Sequence, residues 1–186
     1  MLYFTSDLHF GHENLLQSRT SFSAIEEMDE RLIQNWNKKV EKRDEVYILG
    51  DFSFRAKKSI HTYLKRLNGK KHLIIGNHDG KWMKEIGNLS AYFASVSDIK
   101  TIRYEKQELV LCHYPMLEWP GKYYLLHGHI HGNKNTMTYH YIKKHLSMAL
   151  NCSVDINQFE PVTLQELLKN NEVWYERRIY EKAREI

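Results

Sequence analysis

Short β-leaning apolar runs in this chain stop, time after time, at a side chain able to bind a metal ion. Leu2 to Ser6 runs into Asp7-x-His9, Glu45 to Leu49 into Gly50-Asp51, and Lys71 to Ile75 into Gly76-Asn77-His78-Asp79. Glu108 to Cys112 ends at His113, and Tyr123 to Leu126 leads into His127-Gly128-His129-Ile130-His131. Runs of this length bounded by turn residues read as strands. Helical periodicity fills the gaps between them, so the expected class is α/β. In open α/β sheets ligands gather beyond the carboxyl ends of the strands, so these clusters are expected to converge on one rim. Gly50, Gly76 and Gly128 precede three of them, where the lack of a Cβ allows a sharp turn and close backbone approach.

The intervening segments have their own signatures. A helix is expected from about Ser23 to Val40, with Ser23-x-x-Glu26 as a capping box and Met28, Leu32, Trp36 and Val40 as one apolar stripe. Ser59 to Asn68 reads as a second helix ending at Gly69, and Lys81 to Ile86 as a short third one. Ile99 to Tyr104 and Glu108 to Cys112 form an expected antiparallel pair across Glu105-Lys106-Gln107. Asn133 to Leu146 is polar, aromatic and basic, with no assignable pattern. Met148 to Val154 is the last expected strand, and Thr163-x-x-Glu166 opens a helix containing Leu164, Leu167 and Leu168. Glu172 to Ile186 fits either a strand followed by a helix or one amphipathic helix. No repeat or Pro/Gly-rich linker divides the chain, so residues 1–186 are expected to form one domain.

Composition narrows the function classes. Hydrophobic residues are 42% and charged residues 27% of the 186, ordinary for a globular chain and against disorder. No apolar run approaches the roughly 20 residues of a membrane span. The N-terminus lacks a basic region and meets Asp7 early, so a cytoplasmic protein without a signal peptide is expected. Two cysteines are too few for a disulfide scaffold. The net charge of +4 mildly favours anionic partners without specifying nucleic acid.

Imidazoles and carboxylates without thiolates suit Zn, Mn, Fe or Ni and argue against a structural Cys-rich zinc site. Seven candidates (Asp7, His9, Asp51, Asn77, His113, His129 and His131) are too many for one four-coordinate ion and suit two. Two ions about 3.5–4 Å apart can hold a hydroxide and clamp both oxygens of an in-line displacement. In this order, Asp7-x-His9, Gly50-Asp51, Gly76-Asn77-His78-Asp79, His113 and Gly128-His129-x-His131 resemble the calcineurin-like metallophosphoesterase superfamily, of the small bacterial and phage type. The matched blocks span residues 7 to 131.

The resemblance implies a four-layer α/β/β/α sandwich with mixed sheets and two divalent transition-metal ions, Mn favoured, at the strand ends. One ion would take Asp7, His9 and His131, the other Asn77, His113 and His129, with Asp51 bridging. His78 would be the catalytic residue that protonates the leaving oxygen or stabilises transition-state charge. Many phosphatases of the superfamily carry Gly-Asp-x-x-Asp-Arg in the second block, whereas this chain reads Gly50-Asp51-Phe52-Ser53-Phe54-Arg55. Phe54 therefore stands where a carboxylate usually orients the catalytic histidine. Arg55 matches a phosphate-contacting arginine, against the alternative of a solvated surface charge. His12 is either a substrate-phosphate contact or an exposed loop histidine.

His127 reads as a core histidine or as a support for a ligand, and Cys112 as a small buried hydrophobe. His61, His72, His140 and His145 read as surface residues. The implied activity is hydrolysis of phosphate esters, with phosphodiesters favoured over monoesters. The Tyr123-Tyr124 pair and Tyr139 to Lys144 offer stacking and basic groups for a nucleotide-like substrate, or are ordinary surface residues. A non-catalytic scaffold of the same fold and a nuclease are the alternatives.

Overall fold

The computed structural model describes residues 1–176. Among the described residues, eight strands form two four-stranded sheets. The first, in the order β1 (Leu2–Thr5), β2 (Glu45–Leu49), β3 (Lys70–Ile74), β4 (Phe93–Ser97), is parallel throughout, with an antiparallel bridge from Phe4 to Val162. The second runs β5 (Ile99–Tyr104), β6 (Gln107–Cys112), β7 (Tyr124–His127), β8 (Ala149–Asn151), antiparallel at β5–β6 and parallel thereafter.

Alternation along the strands sorts the core into three layers. Tyr3, Val46, Ile48 and Leu73 face α1 (Ile25–Lys39), α2 (Ile60–Leu64) and α3 (Asp79–Ile86). Their neighbours Phe4, Tyr47, Leu49 and Ile74 meet Leu109, Leu111, Tyr124 and Leu126 between the sheets. Val110, Cys112 and Leu125 face outward again, against α4 (Met137–His145) and the end of α5 (Leu164–Tyr175). Buried on both faces, the strands read as near-continuous apolar runs. The result is the expected four-layer α/β/β/α sandwich.

The seam between the sheets positions the site. Ser6 pairs with Ser153 in a parallel bridge, Ser6 N donating to Cys152 O at 3.1 Å and Val154 N to Ser6 O at 3.2 Å. That bridge sets the carboxyl ends of β1, β2 and β3 beside those of β6 and β7, so the rim belongs to two sheets.

Several local expectations change. Ala24, not Ser23, occupies the N-cap of α1, and the backbone N and Oγ of Ser23 donate to Glu27 Oε2 at 2.9 and 2.8 Å, so Glu26 is not its partner. This start lets Ile25 join Met28, Leu32 and Trp36 in the core. The Thr163–Glu166 capping box is present in full. α2 is shorter than expected, and Gly69 takes φ +83°. β4 and α4 form where the sequence carries no strand or helix pattern. His72 is buried, not on the surface: its Nδ1 lies 2.7 Å from Ser95 Oγ and its ring stacks on Tyr47 at 4.5 Å. Glu172 to Tyr175 continue α5, and the remainder of the expected tail element, 177–186, lies outside the described residues. No described helix is long and apolar enough to cross a membrane.

Candidate metal centre

Backbone conformation is unusual at the rim. Asp7, His9, Asp51, His129 and His131 all have positive φ, between 51 and 72°. L-residues seldom adopt this region, and such outliers cluster where the surrounding structure enforces a functional geometry. Gly50 and Gly76 permit the close packing: a Cβ on Gly50 would strike the His113 ring, and one on Gly76 would strike the Asp51 carboxylate.

All seven ligand candidates converge there. Asp7, His9, Asp51 and His113 form a buried floor, and Asn77 and His129 an exposed lip. Ligand atoms of Asp7, His9 and His131 lie within 4.8 Å of one another, as do those of Asp7, Asp51 and His113. Asp51 Oδ2 is 3.5 Å from His9 Nε2 and 3.5 Å from His113 Nε2, so it stands between the two sets. Asn77 Oδ1 is 3.0 Å from His113 Nε2 and 3.0 Å from His129 Nδ1.

Two features of this donor set fit cations. Neither ring nitrogen of buried His9 has a hydrogen-bond partner among the described residues, an arrangement that costs free energy unless something coordinates it. His113 Nδ1 lies 2.8 Å from the Leu49 carbonyl, which assigns the proton to Nδ1 in the neutral ring. Its Nε2 is then an acceptor facing the Asn77 carbonyl oxygen, and two acceptors at that separation repel unless a cation or proton lies between them.

The supports behind these residues are as specific as the residues themselves. His131 Nδ1–H donates to Asp155 Oδ2 at 2.8 Å, turning Nε2 toward Asp7. Burial disfavours charge on both groups. The hydrogen bond between them and neighbouring Arg19 nevertheless hold Asp155 well below the usual carboxylate range, while Asp155 and Asp7 raise His131. Arg19 is buried and donates through Nε to Asp155 at 2.8 Å, and to the carbonyls of Asp7 at 2.6 Å and Leu8 at 3.1 Å. Neither Arg19 nor Asp155 was visible as a site residue in the sequence. The available signals were a lone arginine among polar loop residues and an aspartate just after the last strand.

Asp79 accepts from the backbone N of Asp51 at 2.9 Å, Phe52 at 2.9 Å and Gly76 at 2.7 Å, and from the Trp82 indole at 2.8 Å. It ties two of the ligand-bearing turns together and makes no bond to the His78 ring. Burial raises its pKa, and the four hydrogen bonds only partly offset this.

His78 reaches the centre with its ring Nε2 4.0 Å from Asp51 Oδ2, while its backbone N donates to Asp51 Oδ1 at 2.9 Å. Phe54 packs on this ring at 4.0 Å between centroids. An aromatic contact thus occupies the position of the orienting carboxylate. His12 sits 5.3 Å from His9 and 6.5 Å from His78, with its pKa lowered to about 4 by burial and by His78, so it is neutral at pH 7. Arg55 is exposed, its guanidinium 4.9 Å from the Phe54 ring centroid. His127 is fully buried behind the last cluster, with its pKa lowered to about 4 by burial. Tyr114, unremarked in the sequence, is partly exposed with its ring 4.9 Å from that of His129. A groove of about 750 Å³ opens beside His129 and His131, walled by the 15–21 and 129–138 segments.

The sequence is 33% identical over 175 residues to an uncharacterized protein of Methanocaldococcus jannaschii, covering 90% of this chain and 89% of that one. It is 34% identical over 159 residues to the gene 66 protein of Mycobacterium phage L5, covering 69% and 76% respectively. A solved structure of a protein of unknown function from Aquifex aeolicus superimposes with a TM-score of 0.70 at 28% identity, covering 91% of this chain and 98% of the other. The calcineurin-like phosphoesterase family model matches residues 2–181, spanning both sheets and every ligand candidate. The chain belongs to the calcineurin-like phosphoesterase family.

Proposed function

We propose that this chain is a metal-dependent hydrolase of phosphate esters, acting as one domain over residues 1–186 and favouring diesters over monoesters. Asp7, His9 and His131 would hold one divalent transition-metal ion, and Asn77, His113 and His129 a second, with Asp51 bridging. Manganese is favoured among Mn, Fe, Zn and Ni. The observation that carries the reading is the position of Asp51 Oδ2, 3.5 Å from a histidine of each set. Two such ions supply a strong nucleophile at neutral pH and compensate charge on the phosphoryl oxygens.

The chain's own groups do the remaining work. His78 would deliver a proton to the leaving oxygen or bind a phosphoryl oxygen, its ring held against Phe54. Neutral His12 offers a hydrogen bond rather than a charge to the phosphate. Arg55 would approach the same oxygens from the exposed side. The exposed lip at Asn77 and His129 and the adjoining groove leave room for a second ester substituent, which supports the diesterase preference. The scaffold alternative loses support because every ligand position is filled.

The test is turnover of metal-reconstituted protein on a panel of mono- and diesters, cyclic nucleotides and nucleic acids. The expected result is metal-dependent release of the alcohol from diesters, lost in Asp51→Asn. Metal-loaded protein inert on the whole panel would return the scaffold reading.

A further inference from the structure

Beside the groove lies a second, more apolar depression. It holds about 350 Å³ and is walled by Pro115, Met116 and Leu117, just after His113-Tyr114, and by Met137, Tyr141 and Ile142 of α4. Thr138 lines both spaces. Leu117 is 74% and Met137 89% exposed, large apolar side chains left in water around one concavity. Tyr114, between His113 and Pro115 in the chain, sets its ring edge-on to His129.

The groove itself mixes hydroxyl and amide groups such as Ser18, Thr20, Asn133 and Thr136 with apolar Leu15, Ile130 and Phe159. Its two charged residues, Arg19 and Asp155, are bound to each other at 2.8 Å. It therefore offers no uncommitted cation to a second phosphate or to a nucleic-acid backbone, whose recognition rests on lysine and arginine.

We infer that the apolar depression is the subsite for an aromatic or apolar substituent of a phosphodiester whose phosphorus sits at the metal centre. The inference rests on the hydrolase reading and names its substrate class: a single phosphate joining one apolar group to one hydroxyl-bearing group. Size selects this occupant, because 350 Å³ lies at the low end of small-molecule sites and is small for a protein face. Continuity supports it too. Pro115 lies two residues from His113, and Thr138 lines both the depression and the groove that His129 and His131 border, so the two spaces adjoin beside the centre.

The test uses manganese-loaded full chain and two diesters that share p-nitrophenol as leaving group, with phenyl or methyl as the second substituent. The phenyl ester is expected to be preferred by about tenfold in kcat/KM, in line with the discrimination an apolar pocket gives. The double substitution Leu117→Ser, Tyr141→Ser, at exposed positions, should bring that ratio close to one. A ratio near one in the wild type, or one that survives the double substitution, overturns the subsite. Calorimetric binding of diphenyl against dimethyl phosphate separates the two readings. If turnover is absent but a tenfold binding preference persists and is lost in the double variant, the subsite stands and the hydrolase reading fails. Absence of both overturns both. If the substitutions instead convert a dimer to a monomer by light scattering and leave the ratio intact, the patch is a contact between copies and the subsite is refuted.

Discussion

Asp79→Asn tests whether the ligand-bearing turns are held by one buried carboxylate. Oδ2 of Asp79 accepts from the backbone N–H of Asp51 and Gly76, and Oδ1 from that of Phe52 and from the Trp82 indole. An asparagine amide has one oxygen, so either orientation turns an NH₂ group against two donors. Two hydrogen bonds to a charged acceptor are lost, each worth about 1.5–3 kcal/mol, or roughly 3–6 kcal/mol together. That is a large share of the 5–15 kcal/mol expected for a domain. At about 2–4 °C per kcal/mol for a chain this size, the metal-free midpoint should fall by roughly 6–24 °C. Thermal unfolding followed by circular dichroism in chelator measures it, with Trp82→Phe, which removes a single hydrogen bond, as the smaller step. An Asp79→Asn midpoint within about 3 °C of wild type, with native secondary structure, would refute the assignment of Asp79 as the clamp.

Four further outcomes follow from the same geometry. Elemental analysis should find two transition-metal ions per chain, with Asp51→Asn weakening both; a single ion under saturating metal and a wild-type-like variant would remove the bridge. Asp155→Asn should lower metal affinity about 10–100-fold in a chelator competition titration, since partners that orient a ligating histidine typically carry that much. His78→Ala should retain both ions and lower kcat by about 10²–10⁴-fold, less for nitrophenyl esters that need little protonation to depart. Metal should raise the melting midpoint through its preferential binding to the native state, and identical midpoints with and without confirmed metal would count against a preformed cluster.

The strands were legible because burial on both faces makes them short continuous apolar runs, each ended by glycine or a polar ligand type. β4 was not, because Phe93-Ala94-Ser95-Val96-Ser97 buries only Phe93 fully and reads as polar. α4 escaped for a related reason: Tyr139 and Ile142 are its only buried residues, too few to make a stripe. His72 looked like a surface residue because its partners, Ser95 and Glu45, belong to neighbouring strands. In each case the deciding contact is tertiary, and no window of the sequence contains it.

The candidate ligands divide from their supports along the same line. Asp7-x-His9 and His129-x-His131 are local patterns, whereas Arg19 meets Asp155 across 136 positions and Asp79 meets Asp51 across 28. The supports matter because the ligand turns are strained. Residues held in the left-handed region cost of order 1–3 kcal/mol each, and five candidates sit there. Each strained turn has a buried polar clamp. Arg19 holds the carbonyls of Asp7 and Leu8, Asp79 holds the amide of Asp51, and Asp7 Oδ1 accepts from the amide of His129 at 3.0 Å. Asn151 Nδ2 donates to the carbonyl of His131 at 2.8 Å. Backbone strain at the rim and charge buried behind it are therefore one device. The carboxylates and the guanidinium fix turns that the chain would not adopt unaided, and those turns aim the imidazoles at common points.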